Sequence, residues 1–211
     1  MHGRILAVVS GLALAGCSVV GIRAGTEEPA YDVVGQLGVV EIRQYGPRIA
    51  AEVTIAGDEE AARSAGFRRV AGYIFGANQT NEKVAMTAPV AQSASESIAM
   101  TAPVAQEKSP DGWTIRFFMP AQYTMATLPK PNDAGVKLLE VPGETMAVLR
   151  FTGLHSSAAI AAQRAQLIAA LQSGHWQITG APVVWFYDPP WTLPFLRRNE
   201  VAVPVTKSNS E

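Results

Sequence analysis

The chain has 211 residues, of which 48% are hydrophobic and 17% are charged, and its net charge is −1. This length suits one well-buried domain rather than two, and the apolar content argues against intrinsic disorder. The near-neutral charge argues against nucleic acid as a partner, because a nucleic-acid-binding surface needs a basic footprint.

The N-terminus has the layout of a bacterial lipoprotein leader. Arg4 precedes the apolar run ILAVVSGLALA, which is shorter than the roughly 20 residues that span a bilayer and so favours a signal peptide. The run ends in LAGC, which resembles a lipobox, in which the cysteine receives a diacylglycerol and becomes the first residue after cleavage. We predict a signal peptide over 1–16 and lipidation of Cys17; a plain signal peptide or a buried helix is the alternative.

Cys17 is the only cysteine in the chain, which excludes an internal disulfide and a multi-cysteine metal site. Ser18 follows it, and because aspartate at that position would resemble an inner-membrane retention signal, Ser18 favours the outer membrane. Residues 17–30 show no periodicity, which predicts an extended tether. We therefore expect a domain anchored by lipid in the bacterial cell envelope, facing the periplasm.

From residue 31 the pattern predicts two strands and a helix. The stretch VVEIRQYGPRIAAEVTIAG holds two β-rich runs, separated by a Gly-Pro turn signal. Asp58 then suits the N-cap of a helix, and Gly76 suits the position after its C-terminus. One apolar stripe at i, i+3, i+4 and i+7 is formed by Phe67, Val70, Ala71 and Ile74.

The second half repeats this plan. VKLLEVPGETMAVLRFTG again holds two runs, broken at a Pro-Gly pair, and Tyr45–Gly57 and Val141–Gly153 have equal length. Ser156 or Ser157 can cap a second helix that runs to about Gln172, before Gly174. Its predicted apolar face comprises Ile160, Leu167, Ile168 and Leu171.

More β-rich runs follow each helix, so the order is strand, strand, helix, strand, strand, twice over. This order predicts an α+β domain over residues 31–205, with two pseudo-symmetric βαββ-like halves. The helices would lie on a curved antiparallel sheet, and 206–211 would form a short C-terminal tail.

An octapeptide, AMTAPVAQ, occurs twice, at 85–92 and 99–106. Each copy could be a strand of a duplicated β-arm that ends at its proline, which cannot donate to a ladder. Alternatively, the methionines and small side chains could line a shallow apolar site, since methionine adapts to ligands of irregular shape. Spacing alone favours the β-arm.

Five ordered motifs resemble those of the SOUL haem-binding family. The first is NEKVAMTAPV, at 81–90, and the last are YDPP, at 187–190, and RRNEV, at 197–201. Between them, FMP with a following tyrosine and LP lies within 118–129, and an F-x-G strand end lies at 151–153. The resemblance runs from about residue 31 to 205 and departs from the simplest family pattern in the second octapeptide.

The resemblance implies a distorted β-barrel with two helices that binds haem or a related tetrapyrrole reversibly, without catalysis. Two alternatives remain. The fold also resembles gyrase-inhibitor-like effector-binding domains, so the ligand could be another apolar small molecule. A structural envelope lipoprotein with a vestigial groove is the second alternative.

Haem needs an apolar slot, cations for its propionates and, optionally, an axial ligand. Some family members are thought to use a histidine from the N-terminal half, but no histidine lies between Arg4 and Leu154, so haem would be bound without that ligand. The resemblance then implies contact through the first helix, whereas packing against the sheet is the structural alternative. The predicted haem-binding residues are Arg63 and Arg68, as partners of the propionates, and Phe67, Val70, Ala71 and Ile74, against the porphyrin face.

Other residues with ligand chemistry have ordinary structural interpretations. His155 precedes the second helix and His175 follows it, where an exposed capping role is favoured over iron ligation. Met86 and Met100 are favoured as packing residues. Arg197 and Arg198 are expected to pair structurally with Glu200 or Asp188 rather than with a ligand.

The segment DPPWTLPFLRR carries Trp191, Phe195 and Leu196 between prolines. It could flank the groove or touch the membrane, although a rigid packed loop is slightly favoured. No paired carboxylates beside a basic motif, phosphate loop, metal-ligand spacing or G-x-S-x-G motif is found, so an enzyme and a metal site are not predicted.

Overall fold

The computed structural model describes residues 25–80, 95–172 and 174–208. The helices are α1 (Glu59–Ile74) and α2 (Ser157–Gln172). The strands are, in chain order, β1 (Tyr31–Leu37), β2 (Val40–Tyr45), β3 (Arg48–Ile55), β4 (Asn78–Gln79), β5 (Val104–Ser109), β6 (Gly112–Phe118), β7 (Lys130–Pro131), β8 (Lys137–Val141), β9 (Glu144–Phe151), β10 (Trp176–Ile178), β11 (Val183–Phe186) and β12 (Asn199–Lys207). All of them lie after residue 30, so a chain that begins at Ser18 retains every described element.

The large sheet has two-fold pseudo-symmetry. Its order is β1-β2-β9-β12-β11-β5-β6-β3-β8, with β10 beside β12, and every strand pair is antiparallel. From β2 to β8, exchanging β2, β3, β5 and β6 with β8, β9, β11 and β12 reverses this order, so the two predicted halves are confirmed. The described sheet ends at β1 and β8 and is curved rather than closed into a barrel.

Helix α1 begins and ends where its sequence predicts. The side chain of Asp58 accepts hydrogen bonds from the backbone N–H groups of Glu60 and Ala61, which satisfies donors that the first turn leaves free. After the helix, Gly76 has a φ of 109°, which glycine adopts without strain. The helix packs on β3 and β6.

Helix α2 also matches its predicted range and packs mainly on β9 and β12. The hydroxyl of Ser156 accepts a weak hydrogen bond from the N–H of Ala159, at 3.4 Å. Leu167 and Leu171 are buried as predicted, but Ile168 is 36% exposed, because the sheet covers a narrower stripe than the prediction included. No helix among the described residues is long and apolar enough to cross a membrane.

Alternation along the strands divides the core into two faces of the sheet. On one face, side chains such as Ile115 and Phe117 pack under α1, and Val201 and Val203 pack under α2. The cluster on the other face contains no helical residue; its members are Tyr45, Ala50, Ala102, Ala105, Phe118, Val141, Met146, Val148, Val183, Trp185, Tyr187 and Ala202. This second face is where a surface for a ligand can form.

The structure describes only the second of the two octapeptide copies. The first copy, at 85–92, lies outside the described residues. In the second copy, β5 begins at Val104, after Pro103, rather than ending at the proline as predicted. Upstream of it, Thr101 forms an isolated bridge with Glu27.

Residues on either side of 31–205 also make contacts with residues inside that range. The backbone carbonyl of Glu27, from the predicted tether, accepts a hydrogen bond from Ala102 N at 2.9 Å. Glu28 forms an ion pair with Arg198, at 2.9 Å. At the other end, β12 continues to Lys207, because its last residues pair with β10.

A buried charged cluster holds the uncovered face together. Glu200, on β12, is 0% exposed, and Arg43, on β2, is 3% exposed. Two Arg43 nitrogen atoms donate to the two carboxylate oxygens of Glu200, at 2.8 and 3.2 Å. Tyr187 and Arg198 donate to the same carboxylate, at 2.7 and 3.0 Å. The cluster therefore joins strands from both halves.

These contacts decide the ionisation of Glu200. Burial acts to raise the pKa of Glu200, but the hydrogen bond and charge of Arg43, with the charge of Arg198, outweigh it and hold the pKa below its usual value. Burial raises the pKa of Tyr45 to about 12, although Arg43 opposes this. The carboxylate of Glu200 is thus ionised, and the neighbouring phenol is neutral, at neutral pH.

We predict opposite effects for two glycine substitutions in α1. A Cβ on Gly66 would lie 2.7 Å from Cγ1 of Ile115, whereas a Cβ on Gly72 would meet nothing within 4 Å. Gly66→Ala should therefore lower the free energy of unfolding by about 1–3 kcal/mol through overpacking. Gly72→Ala should raise it by up to about 1 kcal/mol through helix propensity. Urea unfolding of both variants measures this, and equal effects would contradict the packing of α1.

We also predict that Glu200→Gln lowers the free energy of unfolding by up to about 3–5 kcal/mol, because it removes the buried charge that compensates Arg43 and Arg198 and leaves them only the partly exposed carboxylates of Glu41 and Glu28. Glu52→Gln, which breaks the partly exposed pair with Arg116, should cost no more than about 1 kcal/mol.

Because the folded-state pKa of Glu200 is lowered, the contribution of Glu200 to stability is complete above the ordinary value of 4.5 and is lost as the pH falls through the folded-state pKa. Stability curves from pH 7 to 3 should be flatter for Glu200→Gln; parallel curves would contradict this.

Candidate ligand-binding groove

A groove with a volume of about 870 Å³ borders the uncovered face of the sheet. Its walls come from the N-terminal segment, the turn before β3, the residues after β6 and the end of β8. The lining residues are Glu27, Glu28, Pro29, Ala30, Tyr31, Asp32, Gln44, Gly46, Pro47, Arg48, Ile49, Thr101, Phe118, Met119, Pro120, Ala121, Tyr123, Glu140, Val141 and Pro142. This volume is within the range of about 300–1,000 Å³ typical of small-molecule sites.

The N-terminal segment, residues 27–32, forms one wall of the groove because specific contacts dock it. A carboxylate oxygen of Glu27 accepts from the N–H of Ala121, at 2.7 Å. The ion pair between Glu28 and Arg198 holds the next residue. Tyr31 then lies under the guanidinium of Arg43, whose Cζ is 4.4 Å from the ring centroid.

Arg48, the first residue of β3, is the one lining residue whose buried nitrogen atoms lack protein partners among the described residues. Its side chain is 8% exposed, and Nη2 donates to Glu144 at 2.5 Å. Its Nε and Nη1 atoms are buried and have no hydrogen-bond partner in the described part of the chain. A buried donor without an acceptor costs about 1–3 kcal/mol, so an arriving acceptor would be favoured here.

Aromatic rings hold Arg48 in place. Its Cζ atom lies 4.6 Å from the ring centroid of Tyr45 and 4.5 Å from that of Phe118. A narrow pocket that shares Arg48 and Phe118 with the groove is completed by Trp185 and Tyr187. Burial lowers the pKa of Arg48, with Glu144 acting against this effect, and the guanidinium remains charged at any physiological pH.

The apolar residues predicted to contact haem do not line this groove. Val70 and Ile74 are 0% and 1% exposed and pack between α1 and the sheet, with Ala71 beside them. Phe67 is half-buried and stacks on Phe117, with the ring centroids 5.4 Å apart. Contact between these side chains and haem stays a prediction, and it would require α1 to move away from the sheet.

The two predicted propionate partners on α1 do not converge. Arg63 is half-buried, donates to the carbonyl of His155 at 3.0 Å and lies over the ring of Phe186. Burial lowers the pKa of Arg63, opposed by the charges of the acidic residues in the first turn. Arg68 is exposed to solvent. Their role toward haem stays a prediction.

Neither described histidine lies in the groove. His155 is half-buried rather than exposed as expected, because its Nδ1 atom lies 3.0 Å from Nη1 of Arg197 and its ring packs on Phe186. Burial, together with the charges of Arg63 and Arg197, lowers the pKa of His155 to about 4. His155 is therefore neutral at neutral pH. His175 is exposed.

The two arginines of the RRNEV motif have separate roles. Arg198 pairs with Glu200, as expected, and its backbone N–H donates to a carboxylate oxygen of Asp188 at 2.6 Å. Arg197 instead donates to the backbone carbonyls of Thr192 and Pro190, at 2.8 and 2.6 Å. Within 25–80, 95–172 and 174–208, no group of three or more metal-ligating residues is found.

Sequence reasoning missed Arg48 because nothing in its local pattern distinguishes it from any strand arginine. Its partner, Glu144, is 96 residues away in the chain. The equal spacing of the two strand-turn-strand segments offered a signal, because it places Arg48 and Glu144 at equivalent positions, at the starts of β3 and β9.

Comparison with known proteins identifies the family. The sequence model of the SOUL heme-binding protein family matches residues 26–204. Heme-binding protein 1 of Bos taurus is 31% identical over 156 residues, covering 74% of this chain and 76% of that protein. Heme-binding protein 2 of Mus musculus is 27% identical over 146 residues, covering 64% of this chain and 67% of that protein.

Solved structures share the fold at low sequence identity. The C-terminal domain of EcmrR has a TM-score of 0.56 at 12% identity, covering 84% of this chain and 98% of that one. A hydrolase from Listeria innocua has a TM-score of 0.51 at 14% identity, covering 82% of this chain and 94% of that one. At these identities the likeness concerns the fold alone. The family match spans nearly all of the described domain, and the chain belongs to the SOUL heme-binding protein family.

Proposed function

We propose that this protein binds haem or a related tetrapyrrole reversibly and without catalysis, in the groove beside Arg48. The single observation that carries the location is the buried guanidinium of Arg48, with two nitrogen atoms that lack an acceptor among the described residues. The family and the two relatives named for haem support the ligand class.

The residues of the groove fit such a ligand. Haem is a flat apolar disc with two carboxylates, and Ile49, Phe118, Met119 and Val141 supply apolar wall beside the guanidinium of Arg48. Charge-assisted hydrogen bonds from arginine to carboxylate are about twice as strong as neutral ones. When bound, haem would supply its iron centre and its visible absorbance. The chain supplies the apolar groove and, in Arg48, a cation for a carboxylate.

The groove is a better site than α1 on energetic grounds. Contact through Val70 and Ile74 would expose side chains that are buried against the sheet, and each such exposure costs about 1.5–3 kcal/mol. In the groove a volume of about 870 Å³ is already present without separating a helix from the sheet, so a ligand needs only local side-chain shifts to reach the buried nitrogen atoms of Arg48. We propose that the iron has no axial histidine, in keeping with the positions of His155 and His175.

We also propose that the domain is held in the bacterial envelope by a lipid on Cys17, at the outer membrane facing the periplasm. The leader pattern and the position of the single cysteine support this anchor. Metabolic labelling with a radioactive fatty acid should mark the wild-type protein and not Cys17→Ser. Equal labelling of both would contradict the anchor without bearing on the groove.

We predict that Arg48→Gln weakens haemin binding by about 10- to 100-fold, because it removes a charge-assisted contact worth about 1.5–3 kcal/mol. Arg116→Gln is the matched control, since Arg116 lies on the neighbouring strand and pairs with Glu52 outside the groove. Absorbance titration of the chain from Ser18 onward measures both, with thermal melts to show that each variant is folded.

The α1 site gives a different result in the same titration. If α1 holds haem, Arg63→Gln and Arg68→Gln weaken binding while Arg48→Gln does not, which would overturn the proposed location. A linear, non-saturating signal from the wild type would overturn tetrapyrrole binding itself. Displacement of haemin by a long-chain fatty acid would instead indicate that the groove accepts apolar carboxylates more generally.

A further inference from the structure

An exposed apolar surface outside the groove lining lies on the segment between β11 and β12. Three of its side chains lie in residues 189–196, the apolar loop: Trp191 is 61% exposed, Leu193 is 40% exposed and Phe195 is 69% exposed. Leu154, 62% exposed, lies beside them, because Gly153 N donates to the carbonyl of Pro194. Large apolar side chains grouped in this way on a surface mark an interaction site.

Hydrogen bonds from within and beside the apolar loop hold its backbone. Arg197 donates to the carbonyls of Thr192 and Pro190, and the N–H of Leu196 donates to the carbonyl of Leu193 at 2.9 Å. Thr192 is 1% exposed, so the middle of the loop is packed while its neighbours point outward. These hydrogen bonds fix the backbone from which the apolar side chains project.

The position of the N-terminal chain indicates what this surface meets. Arg198, two residues after the apolar loop, donates through its backbone N–H to Asp188, just before the loop, and forms an ion pair with Glu28. Glu28, at the base of the apolar loop, is thus three positions from Gly25, where the described chain begins. Glu28 lies 11 positions after Cys17, and at most about 3.3–3.6 Å per residue limits that span to about 40 Å.

The chemistry of the apolar loop also suits a bilayer surface. Tryptophan is enriched at membrane interfaces, where its ring meets apolar chains and its N–H meets water. The loop carries no free acidic side chain at its tip, and Arg197 beneath it is 9% exposed. A surface held close to lipid by a tether needs only a small favourable contribution to insert.

We propose that the apolar loop, with Leu154, inserts into the interfacial region of the bilayer and fixes the orientation of the domain on the membrane. This inference uses the proposed lipid anchor only to bring the loop near lipid. It is independent of haem binding, because none of the loop side chains lines the groove.

The single cysteine allows a test that does not depend on natural lipidation. A chain that begins at Cys17 is coupled through its thiol to a maleimide lipid in phosphatidylcholine vesicles whose acyl chains carry bromine. Bromine quenches tryptophan fluorescence at short range, and comparison with Trp191→Phe isolates Trp191 from the three other tryptophans. We expect Trp191 to be quenched in these vesicles and not in vesicles without bromine.

Replacing Leu193 and Phe195 by serine should lower the ratio of inserted to free loop by about tenfold or more. Phe75→Ser is the matched control, since Phe75 is 63% exposed at the end of α1, and it should leave quenching unchanged. Equal quenching of wild type and Trp191→Phe would overturn insertion. A dimer of the uncoupled chain that Phe195→Ser disperses would also overturn it, by assigning the surface to a second copy.

Discussion

The buried carboxylate of Glu200 is the constraint on which the uncovered face of the sheet depends. An ionised group with no exposed surface requires charged partners, and Glu200 draws Arg43 from β2 and Arg198 from the turn before β12. Strand β2 belongs to the first half but pairs with β9 of the second. The ion pair therefore lies where the halves exchange strands, and Arg198 extends the same network to Glu28.

That network positions the parts of the molecule that face a ligand or a surface. Through Glu28 it docks the N-terminal segment, which forms one wall of the groove. Through Asp188 it closes the base of the apolar loop. Arg48 contrasts with this saturated cluster, because Glu144 uses only part of its hydrogen-bonding capacity. Of these two arginines, only Arg48 has buried nitrogen atoms without a hydrogen-bond partner among the described residues, and Arg48 lines the groove.

Local signals predicted the helices, because caps and apolar stripes depend on residues close in the chain: Asp58 and Gly76 mark the limits of α1 without any knowledge of the sheet. The pseudo-symmetry was also predictable, since each half repeats one order of elements. The groove was not, because the contacts of Arg48 with Glu144 and of Glu28 with Arg198 join residues far apart in sequence. Amphipathic spacing on α1 predicted which side chains form one apolar stripe. It could not distinguish burial against the sheet from contact with a ligand, because both require the same spacing.

The second copy of the octapeptide contacts lining residues from two parts of the groove. Its Thr101 hydroxyl donates to the carbonyl of Phe118, and its Ala102 N–H donates to Glu27. Pro103 lines the aromatic pocket next to Arg48. The second copy therefore connects the N-terminal wall to the groove floor, while the family motif in the sequence pointed to the first copy. These contacts depend on the place of the second copy between the N-terminal segment and β5, so its position in the sheet determines its role.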